Sequence, residues 1–147
     1  MEIKTVTESM AVSPQIMPED IPAIKAAGYK VIINNRPDGE VAGQPLGNEI
    51  EALAVEADLD YHYIPMIPGQ LTNDMIEELN EVIDNAAGPV FAYCRSGTRS
   101  ITLWSLSQAG KVPTDEIVNA GAKNGYDLEP MRATIEALAA TLAAKNA

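Results

Sequence analysis

Residues 90–100 have the sequence Val90-Phe91-Ala92-Tyr93-Cys94-Arg95-Ser96-Gly97-Thr98-Arg99-Ser100. The run from Pro89 to Tyr93 is rich in β-branched and aromatic residues, and it predicts a buried strand. Gly97 favours a tight turn over Cys94 to Thr98, and apolar residues at helical spacing follow from Arg99 to Ala109. A strand that leads through a short turn into a helix is a unit from which parallel α/β sheets are built.

The rest of the chain also alternates between strands and helices, because Pro and Gly residues divide it into short apolar segments. Three further strands are predicted, at Met10–Ser13, Lys30–Asn34 and Tyr61–Met66. The other predicted helices run from Pro18 to Ala27, Asn48 to Ala57, Thr72 to Gly88, Thr114 to Lys123 and Glu129 to Lys145. This order predicts an α/β fold with a mostly parallel central sheet of about four strands flanked by helices, in one domain over residues 1–147.

The composition argues against several classes of partner and site. The 147 residues include 21 acidic and 10 basic residues, a net charge of −11, which disfavours binding to nucleic acid or to an anionic membrane surface. A single cysteine permits no internal disulfide and suits a reducing compartment, so we expect a cytoplasmic protein. His62 has no metal-ligand spacing around it, and the sequence predicts neither a metal site nor a cofactor.

The turn after the last strand has the features of an anion-binding loop. Successive backbone N–H groups in such a turn can line a concave anion site, and the N-terminus of the next helix adds partial positive charge. These surroundings favour the thiolate of Cys94, which is the nucleophilic form of cysteine. The side chain of Arg95 points either to the substrate or to solvent. The predicted anion ligands are Arg95, Ser96, Gly97, Thr98 and Ser100.

Several stretches together resemble one known family, in the same order along the chain. They are Val12-Ser13-Pro14-Gln15, residues 31–40 (VIINNRPDGE), Gln44-Pro45, Tyr63-Ile64-Pro65, and residues 92–100 (AYCRSGTRS) with Leu103-Trp104. The Cys-x-x-Gly-x-Arg turn resembles the active loop of rhodanese-type sulfurtransferases and of cysteine-dependent phosphatases. The ordered set resembles the phosphatase-like domain of bacterial beta-lactamase hydrolase-like proteins. The resemblance implies a dual-specificity-phosphatase-like fold, with Cys94 as the nucleophile and Arg99 as the arginine that clamps the anion.

Two chemistries suit such a thiolate, and the length of the loop favours one of them. Cys94 to Arg99 spans six residues, a spacing typical of rhodaneses, whereas tyrosine and dual-specificity phosphatases use a Cys-x5-Arg loop. A loop shorter by one residue loses roughly 3.3–3.6 Å of reach and one N–H group for wrapping a phosphoryl group. The first hypothesis is therefore sulfur transfer from thiosulfate or a persulfide, through a persulfide formed on Cys94.

Two alternatives stay open beside sulfur transfer. One is hydrolysis of a phosphate monoester through a cysteinyl-phosphate; the other is a module that binds an anion or senses oxidants without turnover. A phosphatase benefits from a general acid, but the segment from Pro65 to Asn73 has no carboxylate before Asp74, and Asp74 also suits the first turn of a helix. The expected partners are a small anionic or persulfide substrate, or a phosphate monoester. The resemblance implies a further partner, a sulfide- or persulfide-metabolising enzyme.

Three nearby residues have a structural interpretation beside a functional one. Ser100 either hydrogen-bonds the thiolate or caps the following helix. Arg36 either reaches the rim of the site or, as we favour, forms a salt bridge with Asp38 or Glu40. Tyr93 precedes the cysteine at the position where many cysteine phosphatases carry histidine, and packing within the strand is its favoured interpretation.

Overall fold

The computed structural model describes residues 1–145 and contains a five-stranded sheet flanked by helices. The strands are β1 (Lys4–Thr7), β2 (Met10–Ser13), β3 (Val31–Asn34), β4 (Asp60–Tyr63) and β5 (Val90–Tyr93). Their order across the sheet is β1-β2-β5-β3-β4, and all neighbouring pairs are parallel except β1 with β2. The predicted α/β class is confirmed. Asn146 and Ala147, the end of the predicted domain, lie outside the described residues.

The helices are α1 (Ile21–Ala26), α2 (Gly47–Glu56), α3 (Asn73–Asn85), α4 (Thr98–Ser107), α5 (Thr114–Lys123) and α6 (Arg132–Lys145). Short 3-10 turns at Pro18–Asp20 and Glu129–Met131 precede α1 and α6, so those two predicted helices begin later than expected. The Thr72 hydroxyl caps α3 by accepting a hydrogen bond from the Met75 N–H. Among residues 1–145, no helix combines the length and the apolar character needed to cross a bilayer.

Sequence reasoning missed β1, so the sheet has five strands where about four were predicted. This strand forms an antiparallel edge pair with β2, and the register shifts between Thr5 and Thr7. Its residues alternate between half-buried and exposed positions, so they lack the apolar run that identifies a central strand. The strand predicted at Tyr61–Met66 ends at Tyr63, because Pro65 has no N–H group to donate to the ladder.

Helices cover both faces of the sheet, and the central strands send alternate side chains into two cores. Val31 and Ile33 belong to one core, which they share with apolar residues of α3, α4, α5 and α6. Ile32, Phe91 and Tyr93 belong to the other core, which includes residues of α1 and α2. Burial on both faces explains why β3 and β5 are continuous apolar runs.

The four parallel strands end at one edge of the sheet. Ser13, Tyr93, Asn34 and Tyr63 lie side by side as the last residues of β2, β5, β3 and β4. The loops that follow these strands therefore meet, at the edge where open α/β sheets bind their ligands.

Candidate active site

Cys94 follows β5 directly and lies fully buried where these loops meet. Its N–H donates to the Ser13 carbonyl 3.4 Å away, which continues the pairing of β5 with β2. The Gly97 N–H in turn donates to the Cys94 sulfur, with an N···Sγ distance of 3.0 Å. The chain thus folds back on itself and aims a backbone donor at the sulfur.

Gly97 makes this turn possible for two separate reasons. Its φ of 92° lies in the left-handed region, which glycine adopts readily and other residues rarely. A Cβ atom at this position would also collide with the hydroxyl of Tyr126. Both the backbone conformation and the available space therefore require glycine at the N-cap of α4.

Arg99 lies in the first turn of α4 and forms a bidentate pair with Glu40. Its Nη1 donates to Glu40 Oε2 at 2.8 Å and its Nη2 donates to Oε1 at 2.7 Å; Nη1 also donates to the Met66 carbonyl at 2.9 Å. Within the described residues, these hydrogen bonds occupy Nη1 and Nη2 of the guanidinium. The Nε–H is therefore left to donate to an anion. The hydrogen bond with Glu40, and to a smaller extent the nearby Cys94, raise the pKa of Arg99.

Glu40 is a carboxylate held between two arginines. Arg36 Nε donates at 2.8 Å to the same Oε1 atom that Arg99 Nη2 contacts. The hydrogen bond from Arg99 is the main cause that lowers the pKa of Glu40 to about 2; partial burial opposes this shift and Arg36 adds to it. Glu40 is therefore ionised at neutral pH and has no proton to give to a leaving group.

The salt bridge that we favoured for Arg36 is confirmed, with Glu40 as its partner. The Arg36 side chain is buried, and its Nη1 also donates to Gln15 Oε1 at 3.0 Å. The Gln15 N–H donates to the Arg95 carbonyl at 3.2 Å. Arg36 thus connects the loops that follow β2, β3 and β5, and it acts on the site through Glu40.

Three of the predicted anion ligands have exposed side chains. The Arg95 side chain is exposed, and its orientation towards a substrate stays a prediction. The Ser96 hydroxyl donates to Thr98 Oγ1 at 3.0 Å and also accepts a weak bond of 3.4 Å from the Thr98 N–H. In this loop, the backbone N–H of Gly97 donates to the Cys94 sulfur.

The structure corrects both alternatives for Ser100. Its hydroxyl donates to Asn35 Oδ1 at 2.8 Å, inside α4, so it neither bonds the sulfur nor caps the helix. Asn35 in turn donates to the Ile64 carbonyl at 2.9 Å. Ser100 therefore fixes α4 to the loops that follow β3 and β4, a role that depends on residues remote in sequence.

Tyr93 and Asp74 lie at the structural positions considered for them, and the role of Asp74 as a general acid stays a prediction. Tyr93 is packed in the core beside α1 and α2, and this burial raises the pKa of its phenol. Asp74 lies exposed in the first turn of α3, where a carboxylate interacts favourably with the helix N-terminus.

Sequence reasoning missed two contacts of the site. Glu40 was considered as a partner of Arg36 only, although its position after β3 places it at the same sheet edge as Arg99. That common edge is the signal that could have linked them. Tyr126, whose hydroxyl donates to the Ser96 carbonyl at 2.8 Å, follows α5 and lies beyond the last strand. No periodicity or motif connects it to the loop.

A groove of about 530 Å³ lies elsewhere, between β4 and α3, where His62 and Glu78 are among the lining residues. None of its lining residues belongs to the loop from Cys94 to Arg99. The assignment of the site therefore rests on the sulfur, its backbone donor and the arginine–carboxylate pair, and not on cavity size.

Residues 2–111 match the model of a family described as beta-lactamase hydrolase-like protein, phosphatase-like domain. The chain belongs to this family. The resemblance inferred from the quoted stretches is thereby confirmed. The matched region includes the cysteine loop, Arg36 and Glu40, whereas Tyr126 lies beyond its end.

Relatives and solved structures agree with this family. A beta-lactamase hydrolase-like protein of Agrobacterium fabrum is 37% identical over 130 residues, which are 87% of this chain and 30% of that protein. The chain thus spans about 30% of the length of the curated relatives it matches. A candidate phosphatase from Neisseria meningitidis Z2491 is 33% identical, with a TM-score of 0.82, over 94% of this chain and 99% of that chain.

More distant structures share the fold alone. The core catalytic domain of a PP-IP phosphatase from S. cerevisiae, in complex with citrate, is 14% identical, with a TM-score of 0.67. The match covers 98% of this chain and 91% of that chain. Family and neighbours together establish a phosphatase-like, cysteine-based α/β fold for the chain.

Proposed function

We propose that this domain transfers sulfane sulfur through a persulfide of Cys94. The observation that carries the proposal is the short loop, in which the Gly97 N–H donates to the Cys94 sulfur at 3.0 Å. Glu40, the carboxylate paired with Arg99, is held as an anion by hydrogen bonds from Arg99 and Arg36 and supplies no proton to a leaving group. The six-residue spacing from Cys94 to Arg99 also suits a single sulfur atom better than a phosphoryl group.

In the first step, the Cys94 thiolate attacks the outer sulfur of thiosulfate or the sulfane sulfur of a persulfide. A bond forms between Sγ and that sulfur, the S–S bond of the donor breaks, and its electron pair leaves with sulfite or with the donor thiolate. Both leaving groups are stable anions that need no proton. The Gly97 N–H and the Arg99 guanidinium stabilise the negative charge during the transfer.

In the second step, an acceptor thiolate attacks the outer sulfur of the Cys94 persulfide. The S–S bond on Cys94 breaks, the Cys94 thiolate is restored, and the acceptor carries the persulfide. Each step exchanges one S–S bond for another, so no outside oxidant is consumed. A reducing cytoplasm would supply acceptor thiols, and a sulfide- or persulfide-metabolising enzyme would be a suitable partner for the product.

Phosphate monoester hydrolysis is the second candidate, and the name of the Neisseria meningitidis structure favours it. The Cys94 thiolate would attack phosphorus, expel an alcohol, and then lose the phosphoryl group to water. The departing alkoxide would take a proton from an acid, and Asp74 is the carboxylate that the sequence offers after β4.

The two chemistries are separated by substrate and by adduct. We expect the wild-type protein to form thiocyanate from thiosulfate and cyanide, Cys94→Ser to form none, and mass spectrometry to find one added sulfur atom on Cys94. Hydrolysis of p-nitrophenyl phosphate, with a phosphoryl group on Cys94 and no thiocyanate, would establish the phosphatase instead. Anion binding or reversible Cys94 oxidation without turnover of either substrate would establish a binding or sensing module.

A further inference from the structure

A single peptide group connects Tyr126 with the sulfur of Cys94. Its carbonyl, on Ser96, accepts a hydrogen bond of 2.8 Å from the Tyr126 hydroxyl, and its N–H, on Gly97, donates to Cys94 Sγ at 3.0 Å. A trans peptide group is planar, and its C=O and N–H bonds point in opposite directions. Holding the carbonyl on one side therefore fixes the direction of the N–H on the other.

This peptide group is one that needs to be held. Gly97 has a φ of 92° and can adopt several backbone conformations at low cost. A rotation of the Ser96–Gly97 peptide would turn the N–H away from the sulfur and bring the carbonyl oxygen towards it. The exposed hydroxyls of Ser96 and Thr98 bond to each other, so they do not anchor that carbonyl.

Tyr126 is itself well fixed beneath the loop. It is largely buried in the core shared by α3 to α6, and the Lys4 ammonium lies 4.5 Å from the centre of its ring. The neighbouring Asn124 donates to the Thr5 carbonyl of β1 at 3.0 Å. Burial raises the pKa of the Tyr126 phenol, so the hydroxyl keeps the proton with which it donates to Ser96.

We propose that Tyr126 is a positioning residue for Cys94: its hydroxyl holds the Ser96–Gly97 peptide so that the Gly97 N–H stays on the sulfur. A hydrogen bond to the carbonyl also polarises the peptide and strengthens its N–H as a donor. Tyr126 acts on the same thiolate that the proposed function uses, so this role rests on that function. Tyr126 lies outside residues 2–111, the segment that matches the family model.

Tyr126→Phe tests this role, because it removes the hydroxyl and keeps the ring. We expect less ultraviolet thiolate absorbance at a fixed pH and alkylation of Cys94 by iodoacetamide that is slower by about threefold to tenfold. With thiosulfate and cyanide, kcat should fall by a similar factor, while KM changes by less than about twofold because the remaining anion contacts persist.

Tyr29→Phe is the matched control, because Tyr29 is a comparably buried tyrosine in the other core, edge-on to Phe91. It should leave absorbance, alkylation and turnover unchanged. If Tyr126→Phe lowers only the melting temperature and keeps the wild-type absorbance and alkylation rate, the positioning role is wrong. Absorbance and alkylation need no substrate, so they decide the role of Tyr126 even if the wild-type protein transfers no sulfur.

Discussion

Two clusters of arginine and carboxylate side chains in this molecule have similar hydrogen bonds and different surroundings. The site cluster consists of Arg99, Arg36 and Glu40, with N···O distances of 2.7 and 2.8 Å. Its side chains are 13%, 4% and 20% exposed. Two arginines share one carboxylate here, so the cluster has an excess of positive charge.

The surface cluster consists of Arg132, Asp115 and Glu129, with N···O distances of 2.6 and 3.0 Å. Its side chains are 33%, 81% and 58% exposed. Glu136 Oε1 lies 3.9 Å from the same arginine, so one arginine is shared by three carboxylates. Water weakens the attraction within such exposed ion pairs. A charge that is shielded from water, in contrast, is destabilising unless a partner of opposite charge compensates it. The length of a hydrogen bond alone therefore does not indicate how much the ion pair contributes to stability. Burial and charge balance explain how a chain of net charge −11 can contain the proposed anion site.

The largest effect is expected from Arg99→Lys in the site cluster. Lysine keeps the charge but cannot hold Glu40 with two parallel N–H groups while presenting a third N–H to an anion. We expect turnover of the preferred substrate to fall by about 10²-fold. Steady-state kinetics on thiosulfate and on p-nitrophenyl phosphate measures this loss.

Arg132→Lys in the surface cluster is the control for that substitution, because it makes the same chemical change outside the site cluster and at a more exposed position. Its turnover should match the wild type within about twofold. If both variants lost activity equally, the functional contrast between the two clusters would be wrong.

Glu40→Gln is expected to have the next largest effect, on stability. Glutamine keeps the shape of the side chain but leaves Arg36 and Arg99 without a counter-charge, and Arg36 is buried. We expect the free energy of unfolding to fall by about 1–3 kcal/mol at neutral pH, between the values typical of exposed and buried pairs. Urea denaturation followed by circular dichroism measures the difference.

The pH dependence of this difference identifies the ionised carboxylate as its cause. The pKa of Glu40 is lowered from 4.5 to about 2 in the folded protein, so its stabilising contribution is complete above 4.5 and is lost as the pH falls towards 2. The gap in unfolding free energy between the wild type and Glu40→Gln should therefore narrow over this range. A constant gap from about pH 5 to about pH 3 would contradict the assignment.

The central sheet could be predicted because its strands are buried on both faces. Lys30–Asn34 and Pro89–Tyr93 each contain a short apolar run bounded by Gly, Pro or polar residues. This pattern is typical of a strand that is buried on both faces of a parallel sheet. The edge strand β1 could not be predicted in the same way, because half of its side chains face solvent and its pairing with β2 stabilises it. Sequence patterns of apolar residues indicate which segments are buried, and an edge strand such as β1 is only partly buried.

The site could be predicted to the extent that it is local in sequence. Cys94, Gly97 and Arg99 lie within six residues, so a strand, a turn and a helix start were enough to bring them together. The partners Glu40 and Tyr126 come from distant segments, and their contacts depend on how loops pack after the sheet has formed. No spacing rule encodes such contacts.

The smallest effect is expected from Arg132→Gln, which removes the cation of the surface cluster. Its hydrogen bond to Asp115, at 2.6 Å, is as short as those of the site cluster, and its bond to Glu129 is 3.0 Å, but both carboxylates regain full hydration when the arginine is lost. We expect the melting temperature to change by less than about 2 °C and turnover to stay at the wild-type value. Differential scanning calorimetry of Arg132→Gln beside Glu40→Gln makes the comparison direct. Equal losses in the two variants would mean that burial does not separate the clusters.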